Sequence, residues 1–378
     1  MAATPEAPSH IGRLDVLRGV AILAVFLFHT YGAAFSADNL PWNGLWRNLT
    51  AAPGKSFYLL YPLSYGWAGV SLFFVISGFV IHLSTLRKPG AFRVGRFYWR
   101  RFWRIYPPYF VALVVFTLLN INDFMNPAGV KQVVTHLFMV YNFFPDTLFG
   151  INTAFWSLAV EMQFYLLYPL LLVLRRRWSL GVITFIALGV EVAGRIAGLL
   201  VYGPASFPAT LHTFPLLMWF DWIVGAYVAE QFVQGKRAFR LPAPLIAVIV
   251  ALFLATAFYR PLWFFAYPVG SFLFAVLVDF YLQAPRQAIS LFERMLVPAG
   301  ISSYSLYLYH QPLIWRFLPI ALFAGIPQRP IYLFVFTLVF SFPLLFGLSR
   351  LSYEKIEKWG IAVGRTAPVF FWKARASQ

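Results

Sequence analysis

Apolar runs of about 20 residues, the length a helix needs to cross a bilayer, alternate along the chain with short polar, basic or proline-containing breaks. The runs lie at 14–35, 66–86, 105–120, 155–174, 179–201, 213–233, 243–259, 262–282, 299–323 and 331–350. They predict an all-α membrane protein of about ten transmembrane helices. The third run is short, with Pro107-Pro108 marking an irregular start, and the seventh and eighth are parted only by Arg260-Pro261. Residues 36–62 and 121–153 are the largest stretches that do not span; the second holds His136 and an amphipathic run suited to the membrane interface. The expected organisation is a tail at 1–12, a membrane domain at 13–353 and a second tail at 354–378. No internal repeat or appended soluble domain is visible.

Composition sharpens this picture. Hydrophobic residues make up 60% of the 378-residue chain and charged residues only 11%, too few to cover the surface of a soluble enzyme. Aromatics reach 20%, which suits lipid-facing and interface positions. A net charge of +17 would point to nucleic acid in a soluble chain; here it reads as the positive-inside signal, with no nucleic-acid partner. With the N-terminus inside, most of the 30 basic residues fall in the inside segments. These hold Arg13, Arg18, the run from Arg87 and Lys88 to Arg104, Arg175-Arg176-Arg177, Lys236, Arg237, Arg240, Arg286, Arg294, and the run from Arg350 to Lys373 and Arg375. Both termini are therefore expected to be cytoplasmic, in the cell inner membrane. A cleaved signal peptide is the alternative reading of Arg13 to Ala37. Cleavage would discard the polar residues of the first helix and upset the even span count, which favours an anchored helix. The absence of cysteine excludes disulfides, thiolate metal sites and a cysteine nucleophile.

Polar residues inside a membrane are costly and mark candidate chemistry. The first run carries Asp15, Arg18 and His29. Arg18 and His29 are eleven residues apart, so they share a face, roughly 16 Å apart along the axis, and Asp15 can pair with Arg18. His29 is then either a packed histidine or a base in a wet cavity with Arg18 at its inner mouth. In the second run, Gly66, Gly69 and Gly78 permit close approach of helices, and Ser77 can hydrogen-bond across them. Ser157, Glu161, Tyr165 and Tyr168 form one polar helix face, as do Ser303, Tyr307 and His310. Arg93, Arg96, Arg100 and Arg104 line one face if helical, while Trp99, Phe102 and Trp103 fall on another. That run is either an interfacial anchor or a phosphate site. Glu191 and Arg195 have the spacing of an ion pair, whereas Asp221 and Asp279 have no visible partner. His10 and Asp15 match an acyltransferase His-x4-Asp spacing by chance, because Asp15 lies where the chain enters the membrane.

Five of these segments, in order, resemble the acyltransferase 3 family of multi-spanning bacterial membrane acyltransferases. They are Arg13-Leu14-Asp15-Val16-Leu17-Arg18-Gly19 with His29, Phe73-Phe74-Val75-Ile76-Ser77-Gly78-Phe79, and Arg100-Arg101-Phe102-Trp103-Arg104-Ile105-Tyr106-Pro107. Trp156-Ser157-Leu158 with Glu161 and Tyr165, and Ser303-Tyr304-Ser305-Leu306-Tyr307-Leu308-Tyr309-His310-Gln311-Pro312, complete the set. The resemblance implies transfer of an acyl group, usually acetyl from acetyl-CoA, to a hydroxyl of a sugar or glycoconjugate at the extracytoplasmic side. It implies no bound cofactor or metal: acyl-CoA is a substrate, and the sugar acceptor and membrane lipid are the other partners. Oligomeric state stays open, a homo-oligomer included. The resemblance carries catalytic roles onto His29, Glu161 and Arg18, and donor binding onto Arg101 and Arg104, with Arg100 beside them. Ser77, Ser157, Tyr165, Tyr307 and His310 are the expected cavity or acceptor residues. Many members carry a fused hydrolase-like domain, for which this sequence has no counterpart. Chemically, a sugar hydroxyl needs a base and a thioester carbonyl needs oxyanion stabilisation. His29 is expected to take the proton, with Glu161 orienting it. A transporter or flippase using the same charged cavity is the alternative.

Overall fold

The computed structural model describes residues 10–35, 40–87, 90–285 and 290–366. Lys88, Arg286, Lys373 and Arg375 of the basic flanks lie outside the described residues, as do most of the first expected tail and residues 367–378 of the second. Helix accounts for 79% of the described residues. Among the described residues, the strand content is one hairpin of two-residue strands, Trp42–Asn43 against Trp46–Arg47.

The chain begins with α1 (His10–Phe35) and, after the hairpin, enters α2 (Gly69–Leu86) through a tight turn of helix at Tyr61–Ala68. Then follow α3 (Val94–Leu119), α4 (Trp156–Leu174), α5 (Leu180–Tyr202), α6 (Trp219–Val233) and α7 (Ala243–Ala255). The remainder is α8 (Ala266–Gln283), α9 (Leu291–Ile301), α10 (Ser303–Phe323) and α11 (Pro330–Arg365), the last wound wider at Thr337–Ser341 and Tyr353–Glu357. Among the described residues, seven helices are long and apolar enough to cross a membrane, against the ten expected. The shortfall has a physical origin. α6 has 15 residues and α7 has 13, below the length of a full span. α10 is long enough, with 21 residues, but Ser303, Tyr307, His310 and Arg316 dilute its apolar character.

Three boundaries differ from the sequence reading. The arginine run and the third apolar run form one continuous helix, α3, with Pro107 and Pro108 inside it; neighbouring helices can re-satisfy the backbone groups that proline frees. The predicted run at 299–323 is split by Ser302 into α9 and α10. α9 starts where Ser290 and Glu293 form a reciprocal capping box, the Ser290 N–H donating to Glu293 at 2.7 Å and the Glu293 N–H to Ser290 Oγ at 3.2 Å. α11 runs past the boundary expected at 353, and its last turns pack on α3 beside Trp103.

α1 packs against α2, α9 and α10, which places its polar residues inside the bundle. α2 and α6 meet at glycines on both helices: a Cβ on Gly78 would strike the Trp222 carbonyl, and one on Gly225 the Val75 carbonyl. That close approach is the packing expected of Gly78, and it brings Trp222 over Ser77. The core is aromatic, with Tyr31, Tyr109, Tyr141, Tyr168, Phe155, Phe164 and Trp222 fully buried.

Candidate active site

Five helices enclose a cavity of about 110 Å³. Arg18 comes from α1, Ser77 from α2, Arg101 and Arg104 from α3, Ser157, Glu161 and Tyr165 from α4, and Tyr307 from α10. Five sequence segments far apart in the chain thus supply one polar lining, with Val70, Phe73, Ile81 and Leu158 as its apolar wall.

Glu161 is fixed from two sides. Ser77 Oγ donates to its Oε1 at 2.8 Å and the Tyr165 hydroxyl donates to the same oxygen at 2.6 Å. Ser77 is itself held by Trp222, whose indole N–H donates to Oγ at 3.2 Å. Arg101 stands within electrostatic reach of Glu161, and its guanidinium carbon lies 6.0 Å from the Tyr165 ring centroid. Its Nε is buried without a hydrogen-bond partner. A carboxylate bound this way is a rigid acceptor beside a cation, able to order that cation or a bound hydroxyl.

Arg18 donates to Asp15 at 2.9 Å, the pairing the spacing predicts. Arg18 and Arg104 also face Glu357, which accepts from Ser305 Oγ at 3.1 Å and is 2% exposed. Sequence reading missed Glu357 because it fell beyond 353, in the expected tail. The wider winding of Tyr353–Glu357 also removes the spacing cue that would have placed it on an inward face.

At the other end of the cavity Tyr307 donates to the Ala154 carbonyl at 2.9 Å, with Ser157 Oγ 2.7 Å away. His310 Nδ1 lies 2.8 Å from the Tyr307 carbonyl, so Nδ1 carries the proton and Nε2 keeps its lone pair. That Nε2 is buried without a partner. The ring centroids of His29 and His310 are 5.0 Å apart. Neither histidine is among the described residues that line the cavity. The expected pairing of His29 with Glu161 is therefore replaced: His29 meets His310, and Glu161 is held by Ser77 and Tyr165. The reason is packing, since α1 meets α10 at the level of His29 while α2 and α6 cover Glu161.

A second cavity of about 380 Å³ adjoins the first, sharing Arg101 and lined by Ser84, Thr85, Phe92, Arg93, Arg96 and Arg100. Tyr168 leaves the polar face expected of it and meets His82 Nδ1 at 3.1 Å. His82, not singled out from sequence, lies 4.0 Å from Glu230, which Arg175 binds at 3.1 Å. Glu191 and Arg195 pair as expected, with Arg195 also reaching His212 at 2.9 Å. Asp279 accepts from the N–H groups of Ala238 and Phe239 and caps that turn. Asp221 is buried with neither carboxylate oxygen partnered.

A family model described as an acyltransferase domain matches residues 11–350. Among curated proteins, the chain is similar to Peptidoglycan O-acetyltransferase OatA of Listeria monocytogenes, 25% identical over 84% of this chain and 51% of the relative. It is 27% identical to Nodulation protein 10 of Rhizobium leguminosarum bv. viciae, over 81% of this chain and 83% of the relative. It is 29% identical to Acyltransferase MdmB of Streptomyces mycarofaciens, over 67% and 60%. The chain thus spans about half the length of the Listeria relative. No solved structure matches.

Proposed function

The chain belongs to the acyltransferase family whose domain model covers residues 11–350, and from that premise we propose a membrane-bound O-acyltransferase. It moves an acyl group, acetyl in the simplest case, from acyl-CoA to a hydroxyl of a sugar or glycoconjugate. The observation that carries this reading is the joining, in one cavity, of Arg18, Arg101 and Arg104 to a fixed carboxylate, Glu161. Arginine forks match phosphate oxygens. The second cavity, with Arg93, Arg96 and Arg100, has the charge to take the phosphates of CoA. Arg101, common to both cavities, then marks the way for the pantetheine arm toward Glu161. The names of the relatives, a peptidoglycan O-acetyltransferase among them, favour a carbohydrate acceptor.

In this mechanism the acceptor hydroxyl oxygen attacks the thioester carbonyl. An O–C bond forms, the C–S bond breaks, and the hydroxyl proton ends on the CoA sulfur. His29 receives that proton first as general base, with His310 as its neighbour. Glu161 holds the Tyr165 hydroxyl and orders Arg101, and Arg18 stabilises charge developing on the carbonyl oxygen. Arg100, Arg101 and Arg104 hold the donor, and Ser77, Ser157, Tyr165 and Tyr307 shape the cavity. The arginine end faces the cytoplasm of a cell whose inner membrane holds the protein, with both termini on that side, and the acceptor comes from the opposite face.

The direct test is purified protein with labelled acetyl-CoA and a panel of sugar acceptors. Acceptor-dependent release of CoA with label on the sugar is expected. CoA binding without transfer to any hydroxyl, together with solute movement in vesicles, would replace this reading by a transporter. Sidedness is tested by one thiol on the cysteine-free background: Asn126→Cys should label from outside, and labelling only from the cytoplasm reverses the orientation.

A further inference from the structure

The tyrosine at the inner boundary of the imidazole pair is placed where two halves of the proposed reaction have to meet. Tyr307 donates to the Ala154 carbonyl at 2.9 Å, so the 2.7 Å contact with Ser157 is a bond that Ser157 donates to Tyr307. The hydroxyl is thereby latched to α4 and the segment before it by two neutral hydrogen bonds. Phe73 packs edge-on against the ring, with centroids 6.2 Å apart. This end of the cavity is sealed: Tyr307 is 5% exposed and Ser157 4%. At the opposite end the Arg18 side chain keeps 22% exposure, so the cavity opens toward the arginines. His310 lies behind the tyrosine, ring centroids 5.3 Å apart, and His29 stands beyond His310.

We propose that Tyr307, latched to Ser157 and Ala154, is the partition between a donor compartment at the arginine end and an acceptor compartment at His29 and His310. Thioester and acceptor hydroxyl then meet only when this side chain turns. The inference rests on the acyl-transfer reading for the names of the compartments, but the partition itself is geometric. It answers a chemical need of that reaction. Water competes with the acceptor for a thioester: its attack gives a free carboxylate and thiol in place of an ester and thiol. A closed tyrosine keeps water of the histidine side from the acyl carbon until the acceptor is present. Two neutral hydrogen bonds and a ring rotation are light enough to open within a turnover.

The cysteine-free sequence allows a test that needs no acyl donor. Ser77→Cys puts a single thiol in the donor compartment, probed in sealed vesicles with a small charged methanethiosulfonate applied from either face. With Tyr307 intact, labelling is expected from the arginine face and not from the histidine face. Adding Tyr307→Ala should raise histidine-face labelling at least tenfold, and in the Tyr307→Ala enzyme acetyl-CoA hydrolysis without acceptor should rise against transfer. Equal labelling from both faces with Tyr307 intact overturns the partition, as does unchanged histidine-face labelling in an inserted Tyr307→Ala protein. Labelling from neither face overturns it too, because the donor compartment would be closed at both ends. If Tyr307→Ala does not insert, Ser157→Ala in the same background decides: faster histidine-face labelling supports the latch and an unchanged rate removes it. If the Ser77→Cys protein labels as expected while the unsubstituted protein transfers no acetyl group, the partition stands and the acyltransferase reading falls, so the two fail separately.

Discussion

At the arginine end of the cavity, cations stand among acids: Arg18 is paired with Asp15, and Arg18 and Arg104 face the buried Glu357. At the histidine end, the neighbour of His29 is another imidazole, and His310 spends its proton-bearing nitrogen on a backbone carbonyl. The first arrangement keeps positive charge assembled near water, where carboxylates offset its repulsion until a polyanion arrives. The second presents a bare nitrogen lone pair, which is what a base needs. On the proposed reading, their separation by Tyr307 lets one small bundle hold a phosphate-binding region and a proton-accepting region without a cation pressed against the base.

The sharpest way to break this contrast is to remove the base. His29→Ala should lower transfer by about 10²–10⁴-fold while CoA binding, followed by calorimetry on the purified protein, stays at the parental level. Parental transfer by an inserted variant would leave the histidine end without its role. Removing a cation should act on the other axis. Arg101→Ala is expected to raise the donor KM by about 10- to 100-fold, the equivalent of about 1.5–3 kcal/mol for a lost charged hydrogen bond, with the acceptor KM moving less. An unchanged donor KM would return the α3 arginines to membrane anchoring.

Glu357→Gln probes the same end more gently. It leaves Arg18 and Arg104 without one of their counter-charges, so the empty protein should lose about 1–3 kcal/mol of stability and regain part of it with CoA. A larger CoA-induced rise in Tm than in the parent is the expected signature; an identical rise means Glu357 does not feel the donor site.

The smallest effect on transfer at neutral pH belongs to His136, a third buried imidazole that lies apart from both ends. It stacks on Tyr141 at 4.0 Å, and burial lowers its pKa from 6.5 to about 4. Because the folded protein holds it neutral, its contribution is present above pH 6.5 and is lost as pH falls from 6.5 toward about 4. His136→Gln should flatten that acid limb of the stability profile and leave transfer at pH 7 unchanged. An unaltered limb would show that His136 does not govern acid sensitivity.

What could be read along the chain was whatever one helix fixes by itself. The Asp15–Arg18 and Glu191–Arg195 pairs follow from three- and four-residue spacing, and the common face of Ser157, Glu161 and Tyr165 from the same periodicity. The membrane character followed from apolar run length and the scarcity of charge. Which face meets which neighbour was decided by packing between helices. Glycines at the α2–α6 crossing bring Trp222 onto Ser77, and Ser77 onto Glu161; the meeting of α1 and α10 gives His29 an imidazole partner in place of the carboxylate. Tyr168, on the same stretch as Glu161, turns to His82 because α2 lies there. Glu357 enters the site through a wider helical turn whose spacing differs from the regular period. Periodicity constrains a residue to its own helix axis, and contacts between axes depend on crossings that side chains distant in sequence create together.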